Sequence, residues 1–385
     1  MSGMKNFLKI NKCRVCGQAL FQEPLLRYKN MPRAVQYLPD AKSLKNDRGI
    51  NLEVSQCSGC GLVQLNNVPV PYYREVIRAA GVSGEMNDFR TKQFNDFAKK
   101  YALKDRKVIE IGCGRGEYLS IMSRVGLNAY GLEYNEASVN DCVKNNLRVS
   151  GGFVESDNYK IDSAPFSAFF ILNFFEHLPD PNSTLRGIYN NLADGAVGIV
   201  EVPNFDMILR NRLFSEFMRD HLLYFTKETL ITALSLNGFE VIECNVVWYD
   251  YIISAVVKKK GRMDLSSFDK HQKKIIKELK EFIDSFDGKD IAVWGAGHQA
   301  FAILSFLNSV GKIKYVVDSA AFKQGKFSPV THIPIVSLKH LVANPVGAII
   351  IMAGSYSDEV KKIIMEKFDK KIKIAILRDY GLEIV

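Results

Sequence analysis

Apolar residues in the middle of this chain gather in short blocks. Lys107–Gly112, Phe166–Leu172 and Ala196–Val202 each read as a strand buried on both faces. Between them the spacing changes to that of helices, over Glu117–Val125 and Pro181–Leu192, and Asn128–Glu133 reads as one more strand. Strand–helix alternation of this kind predicts a parallel α/β sheet. The same rhythm restarts later. Asp290–Trp294 is a strand leading into Gly295-Ala-Gly297, a helix is predicted over Gln299–Leu307, and Ile313–Asp318 and Ala348–Met352 follow as strands. Another amphipathic helix is expected near Asp358–Phe368, and Asp264–Phe286 reads as a charged linker helix. Two glycine-rich crossovers roughly 180 residues apart require two sheets. Residues 1–66 lack this alternation and read as a small, largely irregular unit, joined by a helical bridge over 67–100. The expected division is therefore 1–66, 67–260 and 261–385.

Size and composition agree with several folded domains. A chain of 385 residues exceeds what one core serves, and 47% hydrophobic with 24% charged residues is globular composition. The net charge of +9 is diffuse, and its densest run, Lys258-Lys259-Lys260-Gly261-Arg262, falls where one module ends and reads as a solvated boundary. No stripe of interleaved basic and aromatic residues marks a nucleic-acid surface, so no nucleic-acid partner is expected. No apolar run approaches the roughly 18 residues of a membrane span. The start, MSGMKNFLKINKC, is too polar and short for a secretory signal, so the expectation is a cytoplasmic monomer without a membrane partner.

Four of the seven cysteines form two pairs with identical gaps, Cys13-Arg-Val-Cys16 and Cys57-Ser-Gly-Cys60. Thiolates from two tight turns can converge tetrahedrally on zinc, and Gly17 and Gly61 suit such turns. With four cysteine ligands the site is closed, which makes a structural Zn2+ the expectation and leaves no open position for a catalytic water. A redox role for the pairs is the weaker alternative. Zinc-finger peptides gain roughly 10–16 kcal/mol from the metal, enough to hold so small a core.

The first glycine loop reads Glu110-Ile-Gly112-Cys-Gly114-Arg-Gly116, where a strand should turn into a helix. Its third glycine comes one residue early for a dinucleotide fingerprint. Glu133 ends the next strand, where a carboxylate can accept hydrogen bonds from both ribose hydroxyls of a nucleoside. Glu110 sits inside the first strand, a costly position for a carboxylate without a partner. Together these favour a nucleoside without pyrophosphate, S-adenosylmethionine.

The stretch Glu110–Tyr118 with Gly131-Leu-Glu133 resembles motifs one and two of class I S-adenosylmethionine-dependent methyltransferases. Asn173-Phe-Phe-Glu-His177-Leu-Pro-Asp180 is similar to the loop after the fourth strand of that fold. Glu110, Gly112, Gly114, Gly116, Glu133, Asp157 and Asn173 are then the expected donor contacts. The whole order, a four-cysteine zinc module, a methyltransferase core and a second Rossmann-like α/β domain, resembles the three-domain sugar C-methyltransferases. These act on nucleotide-linked 4-keto-deoxyhexoses. The resemblance implies that the zinc module helps cover the acceptor and that the C-terminal domain helps hold the sugar nucleotide.

The segment Phe217-Met-Arg-Asp220-His221-Leu-Leu-Tyr224-Phe-Thr226 is similar to that family's acidic–His pair before a Y-F-[ST] turn. The resemblance makes His221 the base that removes a proton beside the keto group, with Asp220 where the family usually has Glu. His177 matches a second active-site histidine, and Tyr72 or Tyr73 an aromatic residue lining the sugar site. Chemistry supports this assignment independently. A carbon nucleophile must be made by deprotonation, for which His is suited, and the resulting enolate needs a donor such as His177 or Tyr224. The expected acceptor is a small molecule, a nucleotide sugar. O- or N-methyl transfer to such a metabolite is the alternative reading. The second glycine loop, Val293–Phe301, departs from the family's G-A-x-x-K-G-N, and Ala353-Gly-Ser355-Tyr356 replaces its Trp-Asn pair. Those departures leave open which nucleotide is carried and whether this loop binds a ligand or only turns.

Overall fold

A computed structural model describes residues 10–36, 38–75, 83–307, 310–368 and 372–385. The chain divides into two compact units, Met1–Gly261 and Arg262–Val385, parted at the basic run.

The first unit opens with β1 (Leu26–Met31), β2 (Ile50–Gln56) and β3 (Val63–Leu65), followed by α1 (Gly84–Lys100), β4 (Lys107–Ile111), α2 (Glu117–Arg124) and β5 (Asn128–Glu133). It continues through α3 (Glu136–Lys144), β6 (Arg148–Gly151), β7 (Phe166–Leu172), α4 (Pro181–Asn190), β8 (Leu192–Pro203) and α5 (Phe205–Arg210). It ends with β9 (Leu223–Tyr224), α6 (Lys227–Leu236), β10 (Phe239–Val247) and β11 (Ile252–Lys259).

Seven strands form the main sheet in the order β10-β11-β8-β7-β4-β5-β6. The five from β8 to β6 run parallel, while β11 lies antiparallel between β8 and β10. Burial on both faces explains the apolar runs: all of β7 except Ser167 is buried. Glycines that make close packing possible are visible in the same sheet. A Cβ on Gly198 of β8 would lie 2.2 Å from the ring of Phe169. The carboxyl ends of β4, β5 and β7 gather at one edge, where open α/β sheets place ligands.

The N-terminal module is more regular than its composition suggests. The alternation Ile50, Leu52, Val54 forms β2, with Leu52 and Val54 fully buried. A four-stranded sheet β1-β2-β3-β9 results, in which Gln64 and Val63 pair with Leu223 and Tyr224. Residues 1–66 therefore share a compact unit with the central module, because the segment beside His221 supplies their last strand. Leu52, Val54, Val63 and Leu65 pack with Phe205, Ile208, Phe217 and Tyr224 into one small core. Of the helical bridge expected over 67–100, residues 67–75 form bends and turns, residues 76–82 lie outside the described residues, and the helix α1 begins at Gly84, where Ser83 caps it by accepting from the Met86 N–H at 3.1 Å.

In α1, Arg90 is fully buried and pairs with Glu201 of β8 at 2.5 Å, with Gln93 bridging the two. No sequence pattern announced this pair.

The second unit comprises α7 (Ser266–Asp284), β12 (Ile291–Trp294), α8 (His298–Phe306), β13 (Ile313–Val317), β14 (Ile335–Val336) and α9 (Leu338–Ala343). It closes with β15 (Ala348–Ile351), α10 (Ser357–Lys367), β16 (Lys373–Leu377) and β17 (Leu382–Ile384). Its sheet runs β14-β13-β12-β15-β16-β17, parallel except for β17. Gly295 sits at φ +119, and a Cβ there would lie 2.4 Å from the Met352 carbonyl oxygen. Asp318 closes this crossover from within, accepting from the Ala296 and Ala320 N–H groups at 2.8 Å each and from Lys323 Nζ at 3.0 Å. Among the described residues no helix is long and apolar enough to cross a membrane.

Candidate active site

The four cysteines converge. Cys13 and Cys60 sulfurs are 3.7 Å apart, Cys16 and Cys57 sulfurs 3.3 Å, and all four lie within 4.8 Å of one another. Zn–S bonds of about 2.3 Å at tetrahedral angles require sulfurs roughly 3.8 Å apart, so the donor set fits zinc. Main-chain N–H groups of Val15, Cys16, Gly59 and Cys60 point at the sulfurs of Cys13 and Cys57 at 3.3–3.5 Å. Burial pushes the Cys13 thiol up to about 11, so this sulfur becomes a thiolate at neutrality only beside a cation. Between the ligands, Arg14 donates to the carbonyls of Pro179 and Asn67, both at 3.0 Å. Asn182 of α4 in turn donates to the Val15 carbonyl at 2.7 Å. The first cysteine turn is thus bound to the chain just after His177.

At the end of β4, Gly112, Gly114 and Gly116 all adopt left-handed φ, +70, +59 and +81. A Cβ on Gly116 would lie 2.3 Å from Leu147, whereas one on Gly114 would meet nothing nearer than Glu117 Oε2 at 3.6 Å. The middle glycine therefore faces comparatively open space. Glu133 is held at this loop by the N–H groups of Gly114 and Asn135, each 2.8 Å from one carboxylate oxygen. Asn173, at φ +53, buries its Oδ1 without a hydrogen-bond partner, which a ligand's donor would satisfy. Glu110 is fully buried in β4. These residues fit S-adenosylmethionine. The Asp157 carboxylate is 2.8 Å from Arg186 Nε of α4, and its carbonyl is bound by Asn190.

The two histidines do come together. Phe175–His177 forms a buried 3-10 turn after β7, and its Glu176 carbonyl accepts the Leu222 N–H at 2.9 Å, drawing in the segment that carries His221. The rings of His177 and His221 stand edge to face, centroids 4.7 Å apart. His177 Nδ1 lies 2.7 Å from the Asp220 carbonyl oxygen. Because a carbonyl only accepts, Nδ1 carries the proton and Nε2 keeps its lone pair. Burial lowers His177 to about 4, and burial together with His177 lowers His221 far below its ordinary value. Both rings are therefore neutral at physiological pH. Glu176, which sequence reasoning had not singled out, is pushed up to about 8 by burial and is mostly protonated at neutrality. Its carboxyl and the two rings bring ligand atoms within 4.8 Å of one another.

Of the two candidate tyrosines, Tyr72 reaches this group: its hydroxyl donates to Asp220 Oδ1 at 2.7 Å and accepts from the Val35 N–H. Tyr73 instead packs edge-on against Phe153, with the Arg74 guanidinium over both rings. Tyr224 is buried with its hydroxyl between Met218 and Glu216 main-chain groups, and burial raises its pKa. Its oxygen is spent on holding the 216–218 turn.

Residues 82–244 match the model of a methyltransferase domain, and residues 258–376 that of a C-methyltransferase C-terminal domain. The chain is 24% identical over 389 aligned positions to the C-methyltransferase NovU of Streptomyces niveus, covering 91% of each chain. A shorter likeness, 26% over 116 residues, links 29% of it to half of a ubiquinone biosynthesis O-methyltransferase of Pseudomonas entomophila. Among solved structures, an S-adenosylmethionine-dependent methyltransferase from Clostridium acetobutylicum is 14% identical. That match covers 44% of this chain and 92% of the other, with a TM-score of 0.37.

Proposed function

Because the chain belongs to the family of S-adenosylmethionine-dependent C-methyltransferases, we propose that it methylates a carbon beside the keto group of a nucleotide-linked deoxysugar. The observation that carries this reading is the pair of neutral histidines, His177 buried and His221 half-buried, one beside the other and both beyond the carboxyl edge of the sheet. His221 takes the proton from the carbon next to the carbonyl, and the C–H electrons pass into the enolate. A protonated Glu176 can donate to the enolate oxygen, whereas His177, with its proton on Nδ1 and a lone pair on Nε2, is no donor there. When bound, S-adenosylmethionine supplies an electrophilic methyl group. With that methyl group supplied, the residues would need only to align the reactants and exclude water.

Asp220 orders the pair through its carbonyl, while Glu133, Asn173 and the three glycines hold the donor. Cys13, Cys16, Cys57 and Cys60 hold one structural zinc ion, which fixes Arg14 and through it the chain after His177. The enzyme works as a monomer in the cytoplasm, a reducing setting that keeps thiolates available to zinc.

Transfer to oxygen or nitrogen is the competing outcome. The likeness to an O-methyltransferase extends over only 116 residues, 29% of this chain, and so does not favour it. Incubation with methyl-labelled donor and a panel of 4-keto nucleotide sugars decides between them. A new C–CH3 signal in the product's NMR spectrum is expected, and an O- or N-methyl product overturns the carbon reading.

A further inference from the structure

A cavity of about 910 Å3 opens beside Tyr72, with Arg33, Asn67, Pro71, Glu75 and Arg219 in its wall. Two of its wall residues are hydrogen-bonded to the neighbourhood of the site. Tyr72 bonds Asp220, next to His221, and the Glu75 carboxylate accepts from Asn135 Nδ2 at 3.2 Å, two residues after Glu133. An acceptor lying here would reach from the histidines along the donor side.

Two of the wall residues are cations. Arg219 uses Nε and Nη2 on the carbonyls of Val68 and Pro69, at 2.9 and 3.0 Å, which fixes the guanidinium at the wall. Arg33 is exposed to the cavity, and neither arginine forms an ion pair with a carboxylate among the described residues. Burial, and after it the charge of Arg33, hold Arg219 below its ordinary value. The two guanidiniums repel each other, Asp220 offsets only part of this at Arg219, and the carboxylate in the wall, Glu75, is turned to Asn135.

We propose that Arg33 and Arg219 form a phosphoryl subsite that receives the diphosphate of the acceptor. The assignment rests on the nucleotide-linked reading above and adds to it where the charged part binds. Guanidinium forks match phosphate oxygens in pairs, and two of them span a diphosphate, whereas a neutral sugar needs neither. The subsite lies wholly in the first unit, with Arg219 on the segment that carries Asp220 and His221. Binding of the diphosphate would therefore pull against the same short segment that positions the base.

The test uses the full, zinc-loaded chain and inorganic diphosphate as probe, with affinity measured by calorimetry. Wild type is expected to bind it, and Arg33→Gln to weaken binding about tenfold or more while donor affinity and melting temperature stay unchanged. Arg219→Gln should weaken it too, but this residue also braces residues 68 and 69, so Arg33→Gln is decisive. With a turned-over nucleotide sugar, Arg33→Gln should raise KM by a similar factor with kcat little changed. Absence of diphosphate binding to wild type, or equal binding by Arg33→Gln, overturns the subsite. If diphosphate binding is lost in Arg33→Gln but no nucleotide sugar is methylated, the subsite stands and the acceptor reading falls. Turnover of a nucleotide sugar with unchanged KM in Arg33→Gln has the opposite meaning.

Discussion

The Tyr72 hydroxyl meets Asp220 Oδ1 at 2.7 Å across 148 positions of sequence, joining the N-terminal module to the residue that precedes the proposed base. Asp220 works in two directions, since its carbonyl oxygen takes the Nδ1 proton of His177 while its carboxylate takes the tyrosine. Burial pushes the Asp220 carboxyl up, and the Tyr72 bond opposes that shift. Tyr72→Phe leaves a buried acceptor unsatisfied and should cost about 1–3 kcal/mol in denaturant unfolding. Asp220→Asn keeps the carbonyl and the His177 tautomer but removes the charge. It should lower kcat about ten- to a hundredfold with donor affinity intact, and Asp220→Glu should recover part of it.

His221→Ala should remove the base without touching the donor loop. The expected result is a fall in kcat of about a hundredfold or more, with S-adenosylmethionine binding unchanged in calorimetry. Solvent exchange at the carbon next to the carbonyl, followed by NMR without donor, should disappear in this variant. Full exchange in His221→Ala would remove it from the role of base.

Glu176 and His177 give stability a signed pH dependence. The raised Glu176 retains a proton in the folded state that the unfolded chain loses, so its contribution falls as pH rises from about 4.5 to about 8. The depressed His177 acts oppositely, adding stability as pH rises from about 4 to 6.5. These two nearly offset each other between 4.5 and 6.5, where the depressed His221 adds a further rise with pH, and above 6.5 Glu176 gives a decline of up to about 1.4 kcal/mol per pH unit. Glu176→Gln should flatten the melting temperature between pH 6.5 and 8. A slope equal to wild type's would show that Glu176 ionises normally.

Arg14 makes the cysteine cluster consequential for the histidines. Chelation that removes one zinc per chain should unfold the N-terminal module, seen as lost protection of β1–β3 in hydrogen exchange, and abolish turnover. Arg14→Ala should keep the zinc yet lower kcat, because the Pro179 and Asn67 carbonyls lose their shared donor. Zinc content by mass spectrometry separates the two cases, and unaltered kcat in Arg14→Ala would sever the proposed link.

Local patterns carried much of this fold. The apolar runs of β4, β7 and β8 are legible because strands buried on both faces need no alternation, and the cysteine pairs because a metal demands repeated spacing. His177 and His221 were found through motifs, each from its own short stretch. What escaped depends on chain segments far apart. Nothing near Tyr72 indicates Asp220, and the pairing of β3 with β9 is decided by the main chain, which has no sequence signature. Glu176 lay inside a quoted motif but went unremarked, since only the fold shows that no solvent reaches it. Asp157 was expected near the adenine, and Arg186, one turn along α4, takes its carboxylate.

Arg90 and Glu201 supply the last test, because their ion pair lies behind the donor loop. The Glu201 carbonyl accepts the Asn173 N–H at 3.0 Å, while its carboxylate is neutralised by Arg90, both side chains being fully buried. Removing one partner leaves a charge that water cannot reach, so Arg90→Met should destabilise the fold by about 3–5 kcal/mol. Replacing both, as Arg90→Met with Glu201→Leu, removes the stranded charge and should restore most of that loss. Main-chain hydrogen bonds survive both substitutions, so the double variant should also regain donor affinity if Asn173 contacts the donor through a strand end held in place. A double variant that is stable but cannot bind S-adenosylmethionine would instead place the Glu201 carboxylate itself in the donor's electrostatics.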